Sequence, residues 1–245
     1  HLLNDLLEVS RFDAGVAVLD RESTDLNVIA RKVIDIATPV ADEYGSLIRL
    51  NAPSEGCVAE VDPRRVERVI RNLVLNAVEH GESKPIDITI GSNQNAVAVT
   101  VRDYGIGMTE EACNHVFDRF WRADPARART TGGSGLGLSI SMEDTRLHDG
   151  RLEAWGKPGI GSVFRLTLPR SEGLEIVSSP LPLEPPVPES LASVTLGDSF
   201  PLTGEVPKIG YTPLVLDPDM DEDQLHDDVP DPTLGSSEQK KEGEN

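Results

Sequence analysis

The sequence predicts a two-layer α/β sandwich, a mixed sheet with helices on one face, followed by a tail without a fold of its own. Three observations carry this expectation. Apolar runs at 86–90, 97–102, 151–155 and 162–168 fall into two adjacent pairs, each joined by a turn-rich connection. Segments with helical apolar spacing lie before and between these pairs, at 28–40, 66–77, 109–115 and 138–148. Beyond residue 170 prolines crowd the chain, 11 of the 18, and aromatic residues almost vanish.

In chain order, Leu2, Leu3, Leu6, Leu7 and Val9 form an amphipathic helix end that Gly15 stops. A short apolar run at 16–19 precedes a helix capped by Thr24 or Asp25, with Val28, Ile29, Val33, Ile36 and Val40 inside and Gly45 at its end. Runs at 47–50 and 57–61 read as two strands around a Pro53-Ser54-Glu55-Gly56 turn. Asp62-Pro63 opens a second helix, because Asp accepts from the first free N–H groups and Pro suits the first turn. Its apolar stripe is Val66, Val69, Ile70, Leu73, Val74 and Ala77, and an Asn93-Gln94-Asn95 turn joins the next two strands. No internal repeat interrupts this order.

Charge divides the 245 residues unevenly. Residues 1–170 carry 20 Lys and Arg against 25 Asp and Glu, a balance of −5, while residues 171–245 carry 3 against 17, a balance of −14. The body is large enough to bury a core, whereas the tail lacks the apolar surface to offset the entropy of ordering it, so disorder is expected from about Ser171. Residues 180–188 contain a PxxP pattern that reads either as a spacer or as a polyproline II ligand, and the acidic 217–231 run reads as solvating. Cys57 and Cys113 stand outside any Cys/His cluster, which suggests neither zinc nor a disulfide and suits a reducing compartment. No apolar run of about 18 residues is present, and an acidic chain without a basic stripe is an unpromising nucleic-acid binder. Because it opens on His1, the chain is expected to be a piece of something longer.

Three short blocks in fixed order carry the chemistry: Asn72-Leu73-Val74-Leu75-Asn76, Asp103-Tyr104-Gly105-Ile106-Gly107 and Gly133-Ser134-Gly135-Leu136-Gly137. The first puts amides one helical turn apart, with His80 continuing the stripe at i+8. The second puts a carboxylate at the end of an apolar strand, where it needs a partner. The third is a glycine loop opening a helix, where backbone N–H groups can meet phosphate. Between the second and third lie Phe117-Asp118-Arg119-Phe120-Trp121-Arg122 and a basic, poorly periodic 122–132 stretch with the composition of a mobile lid, bearing Arg127 and Arg129. Taken together in this order, the blocks describe an ATP site.

These blocks resemble the N, G1, F and G2 boxes of sensor histidine kinases, the two-component members of the GHKL ATPases, over about 2–169. The resemblance implies the Bergerat-type ATP-binding fold and a division into 1–15, the end of a dimerisation and phosphotransfer helix; 16–170, the catalytic domain; and 171–245, the acidic Pro-rich tail. It implies ATP and Mg²⁺ as cofactors. Asn76 matches the Mg²⁺-binding amide and Asn72 its helper one turn earlier. Asp103 matches the acceptor of the adenine amino group, Gly105 and Gly107 the turn past the base, and Arg122 the cation facing the γ-phosphate. Gly133, Gly135, Leu136 and Gly137 match the phosphate loop. Glu79 stands where the family often has Lys. His80 stands where it often has an aromatic ring, and both stacking near the nucleotide and solvation fit it. Related hydrolases carry a water-activating Glu where Asn72 stands, so the resemblance favours phosphoryl transfer over hydrolysis.

None of His1, His80, His115, His148 and His226 lies in the family's acceptor-histidine box. The resemblance therefore implies a catalytic module whose acceptor histidine is elsewhere on a homodimeric hairpin, in the cytoplasmic part of a cell-membrane protein, with relay to a response-regulator aspartate. A serine kinase of the anti-sigma type and a nucleotide-binding docking module without transfer activity are the alternatives.

Overall fold

In the computed structural model, residues 7–10, 12, 14–15, 17–122 and 135–185 are described. In chain order the elements are β1 (Glu22–Asp25), α1 (Leu26–Glu43), β2 (Ile48–Asn51), β3 (Val58–Val61), α2 (Pro63–His80), β4 (Ile86–Ser92), β5 (Ala96–Arg102), α3 (Glu110–His115), α4 (Gly137–Leu147), β6 (Arg151–Lys157) and β7 (Gly161–Pro169). The caps follow the sequence signals. Asp25 accepts from the Asn27 N–H at the start of α1, and Asp62 accepts from the Arg64 and Arg65 N–H groups with Pro63 in the first turn of α2.

A five-stranded mixed sheet runs β2-β4-β5-β7-β6, parallel only between β2 and β4. Its register stacks apolar rows on one face: Ile88, Val101, Phe164 and Ala154, then Ile90, Val99, Leu166 and Leu152. Against these rows pack Leu26, Ala30, Val33 and Ala37 of α1 and Val66, Ile70, Leu73, Val74 and Ala77 of α2, all essentially inaccessible. This is the expected sandwich, and its period-2 and period-3.6 patterns meet in one core.

Two expectations need correction. The runs at 47–50 and 57–61 do not form a pair about the Pro53 turn: β2 joins the main sheet beside β4, while β3 pairs antiparallel with β1. The β1 strand, Glu-Ser-Thr-Asp, carries no signal in the sequence, because nothing in so short a polar run alternates. Nor does the fold stop at residue 170. Residues 171–185 continue across the other face of the sheet, where the register sets the row Gly91, Ala98, Thr167 and Arg151. Arg151 Nη2 donates to the Ile176 carbonyl (2.9 Å), the Thr167 and Ser179 hydroxyls bond (2.9 Å), and Arg165 Nη1 donates to the Leu181 carbonyl (2.7 Å). Leu181 lies over Gly91, and Ile176 is buried. Small residues on the sheet leave room for this strap, and its backbone carbonyls accept from the neighbouring Arg151 and Arg165 guanidiniums. Residues 186–245, including the rest of the PxxP pattern and the acidic run, lie outside the described residues. Among the described residues no helix is long and apolar enough to cross a membrane.

Candidate functional site

The site is built where α2 outruns its neighbour α4. Along α2 a polar stripe sits beside the apolar one, at Asp62, Arg65, Arg68, Asn72, Asn76 and His80, with steps of three or four residues that keep one face. The first four of these face α4. Asn72 Nδ2 donates to the Gly137 carbonyl (3.0 Å) and to the Ser141 hydroxyl (3.1 Å), so this amide ties α2 to the first turn of α4. Asn76 and His80, half-buried, follow Asn72 along the same face of α2, and the His80 carbonyl lies against Gly105 just after β5. His80 Nδ1 is buried without a hydrogen-bond partner among the described residues.

Asp103, 1% exposed, closes the other side. Its Oδ1 accepts from the Gly105 N–H (2.9 Å) and the Ser162 N–H (3.3 Å). Burial pushes the Asp103 carboxyl above its ordinary value, opposed by these N–H groups and by neighbouring His80. Tyr104 turns the opposite way, its hydroxyl donating to Asp87 (2.6 Å) beneath the Arg102 guanidinium. The two glycines that follow have a reason inside the protein itself. A side chain on Gly105 would collide with the His80 carbonyl at the end of α2. One on Gly107, at φ +71°, would collide with the Lys157 carbonyl. These glycines let the G1 turn sit directly on α2 and on the β6–β7 connection.

The remaining cluster holds the start of α4. Phe117 packs edge-on against Phe164 with ring centroids 6.1 Å apart, which anchors the F-box segment in the core. The Phe120 N–H donates to the Gly135 carbonyl (3.0 Å), and Gly135 has φ +69° with Phe120 backbone beside it. Arg122 reaches Glu79 on α2 (3.7 Å), so the residue that departs from the expected Lys is the partner of the F-box arginine. Among the described residues, α4 begins after Leu136 without a side-chain cap hydrogen bond, and no acidic residue of its own first turn stands against the positive end of its dipole. Gly133, Arg127 and Arg129 lie outside the described residues. Contacts thus join Asn72 to Gly137, His80 and Asp103 to Gly105, Gly135 to Phe120 and Arg122 to Glu79, with Asn76 on the α2 face between Asn72 and His80.

The profile of the histidine kinase-, DNA gyrase B- and HSP90-like ATPases matches residues 61–172, from the cap of α2 to the end of β7. Those residues belong to this family. The ATPase domain is accompanied by close sequence relatives. The chain is 51% identical over 203 residues to the sensor histidine kinase MtrB of Mycolicibacterium paratuberculosis, covering 83% of this chain and 35% of that protein. It is 53% identical over 184 residues to the MtrB of Mycobacterium tuberculosis, covering 75% and 32%. The solved full-length ShkA, in complex with AMPPNP, superimposes with a TM-score of 0.63 at 26% identity, covering 71% of this chain and 36% of that one. The chain therefore spans about a third of the length of these relatives, and its ATPase domain is of the ATP-binding catalytic type found in two-component sensor kinases.

Sequence reasoning missed what lies beneath the site. Ser141 and Asp144 on α4 and His148 at its C-cap hold Asn72, the arginines of α2 and the α2 cap, respectively. The signal was present in the stripe itself, because Asp62, Arg65 and Arg68 extend the Asn72, Asn76, His80 face toward the helix N-terminus.

Proposed function

We propose that this chain is the catalytic ATP-binding part of a two-component sensor histidine kinase, passing the γ-phosphoryl group of Mg–ATP to a histidine on a phosphotransfer hairpin for relay to a response-regulator aspartate. The observation that supports this reading is the set of contacts that joins the three sequence blocks: Asn72 bonds to Gly137, Gly105 lies against the His80 carbonyl, and Asp103 accepts from the Gly105 N–H. Nucleotide fits these residues. Asp103, an acceptor, suits the adenine amino group, and the first-turn N–H groups of α4 suit phosphate. The Asn76 amide oxygen suits Mg²⁺, a hard cation that completes its shell with phosphate and water oxygens. When bound, Mg–ATP supplies the transferable phosphoryl group. The chain's own part is placement and charge, with Arg122, which reaches Glu79 on α2, as the cation assigned to the γ-phosphate.

Asn72 favours transfer over hydrolysis. Its Nδ2 is committed as a donor to α4, and an amide has no basic atom to activate water. The site is therefore suited to an acceptor delivered from outside. In the whole protein we place that acceptor on a homodimeric hairpin ending at residues 1–15, in the cytoplasmic part of a membrane sensor.

The test is incubation with Mg²⁺ and γ-labelled ATP, with and without a separately purified hairpin bearing the acceptor histidine, alongside Asn76→Asp. Acid-labile, base-stable label on the hairpin, lost in the variant, is the expected result. Nucleotide binding without transfer would replace this reading with a docking module, and label on a hydroxyl side chain would replace it with a serine kinase.

A further inference from the structure

The α2–α4 seam is polar along its whole length. The Asp62 N–H donates to His148 Nε2 (3.0 Å), Arg65 and Arg68 grip Asp144, and Asn72 binds Gly137 and Ser141. Asp144 is its centre. The carboxylate is wholly buried and takes Arg65 Nη1 (2.8 Å), Arg68 Nε (2.7 Å) and Arg68 Nη2 (2.8 Å). A well-packed apolar seam would serve stability as well as a buried ion cluster does; what the cluster adds is a single register, since each fork must meet one carboxylate. That register matters here because the same two helices carry the two halves of the site, Asn72 and Asn76 on α2 and the Gly135–Gly137 turn at the start of α4.

One member of the cluster comes from the N-terminal segment that precedes β1. Glu8, on the helical segment 7–10, reaches Arg68 Nη1 (3.1 Å), the edge of the guanidinium that Asp144 leaves open, and lies 3.8 Å from Arg65 Nη1. The Phe12 ring lies 5.6 Å from the Arg65 guanidinium carbon. Arg65 is further held by Asp62 (3.5 Å). The N-terminal segment thus shares the two cations that set the seam.

We propose that Asp144 is a positioning residue for nucleotide binding, acting through the spacing of α2 and α4, and that Glu8 makes this grip depend on the N-terminal segment, read above as the end of the phosphotransfer hairpin. The inference rests on the nucleotide-binding reading above. A hairpin that moves away takes Glu8 with it, and the guanidiniums then redistribute over Asp144 and Asp62. The position of the hairpin is in this way felt at the phosphate end of the site.

The experiment measures the affinity of the full chain for Mg–AMP-PNP by calorimetry, with melting temperatures, for wild type, Asp144→Asn, Glu8→Gln and the double variant. Asp144→Asn weakens binding about tenfold, within the range measured for residues sharing one network. Glu8→Gln, on a partly exposed ion pair, weakens it about threefold with little change in melting temperature. The double variant binds no worse than Asp144→Asn. Should Asp144→Asn fail to fold, Arg68→Lys takes its place in the cycle, keeping the charge while losing the fork. Wild-type affinity in Glu8→Gln, or losses that simply multiply in the double variant, overturns the inference while leaving the nucleotide reading intact. Failure of the wild type to bind nucleotide overturns both.

Discussion

Asn72 and Gly137 are joined across two helices by a bond from an amide nitrogen to a backbone carbonyl, 3.0 Å long, and the same carbonyl also accepts from the Ser141 hydroxyl at 2.9 Å. The geometry specifies a donor at position 72. Replacing Asn72 by Asp turns that donor into an acceptor facing a carbonyl, whereas Ala merely removes it. Asn72→Asp is therefore expected to cost about 1–3 kcal/mol and Asn72→Ala about 1 kcal/mol, since an unsatisfied buried group costs more than an absent one. Denaturant midpoints at unchanged slope measure this, and equal midpoints for the two variants would contradict it.

Asp103 is an acid that burial disfavours in its charged form. Asn in its place can still accept from the Gly105 and Ser162 N–H groups through its carbonyl oxygen, and it carries no charge to desolvate. Asp103→Asn should therefore fold at least as stably as wild type near neutral pH. If the carboxylate receives the adenine amino group, the variant should lose about 1.5–3 kcal/mol of nucleotide affinity, because its amide offers a weaker, uncharged acceptor. Calorimetric titration with Mg–AMP-PNP beside a melting curve separates the two effects. Lowered stability with retained affinity would reverse the assignment.

Much of this site was legible because each part depends on local chemistry. The Asp62-Pro63 cap, the four-residue step from Asn72 to Asn76 and the strand-end Asp103 are all patterns of neighbours in the chain. The glycines were legible as glycines, yet not for the reason the structure gives: Gly105 and Gly107 are crowded by the His80 and Lys157 carbonyls, contacts made only in the folded state. Illegible parts depended on pairing at a distance. Which sheet β3 joins is settled by β1, a strand with no periodic signal, and the role of Asp144 is settled by two arginines more than 70 residues earlier. The strap at 171–185 has a linker-like composition, and its order comes from the Gly91, Ala98 and Thr167 row that it covers.

His148 gives the domain a defined pH response. Its Nδ1 pairs with the Asp144 carbonyl (2.7 Å) while Nε2 accepts from the Asp62 N–H, which fixes the neutral tautomer. Burial lowers its pKa below the ordinary value, with the Arg21 charge acting in the same direction. A histidine depressed in the folded state binds fewer protons there than in the unfolded chain. Its contribution to stability is then complete above the unfolded pKa, about 6.5, and is lost as pH falls from there through the folded value. The melting temperature should drop between pH 7 and 5.5. His148→Gln should be less stable at pH 7 and should show a shallower drop over that interval; an identical pH profile in the variant would assign the response to another group.

The strap predicts where the domain ends. A chain stopping at residue 170, where the sequence pattern alone places the boundary, loses Ile176 and Leu181 from the sheet face. It also strips the carbonyl partners from Arg151 and Arg165 and the hydroxyl partner from Thr167. Uncovering two aliphatic side chains' worth of apolar contact amounts to about 2–4 kcal/mol. For a domain of this size that is a fall of about 5–12 °C in Tm. A chain stopping at 185 keeps every one of these contacts and should melt with the full-length protein. Nucleotide affinity, by contrast, should be alike in all three, because the strap crosses the face of the sheet opposite the helices that build the site. Equal melting of the chains ending at 170 and 185 would mean that the strap rests on the sheet without stabilising it.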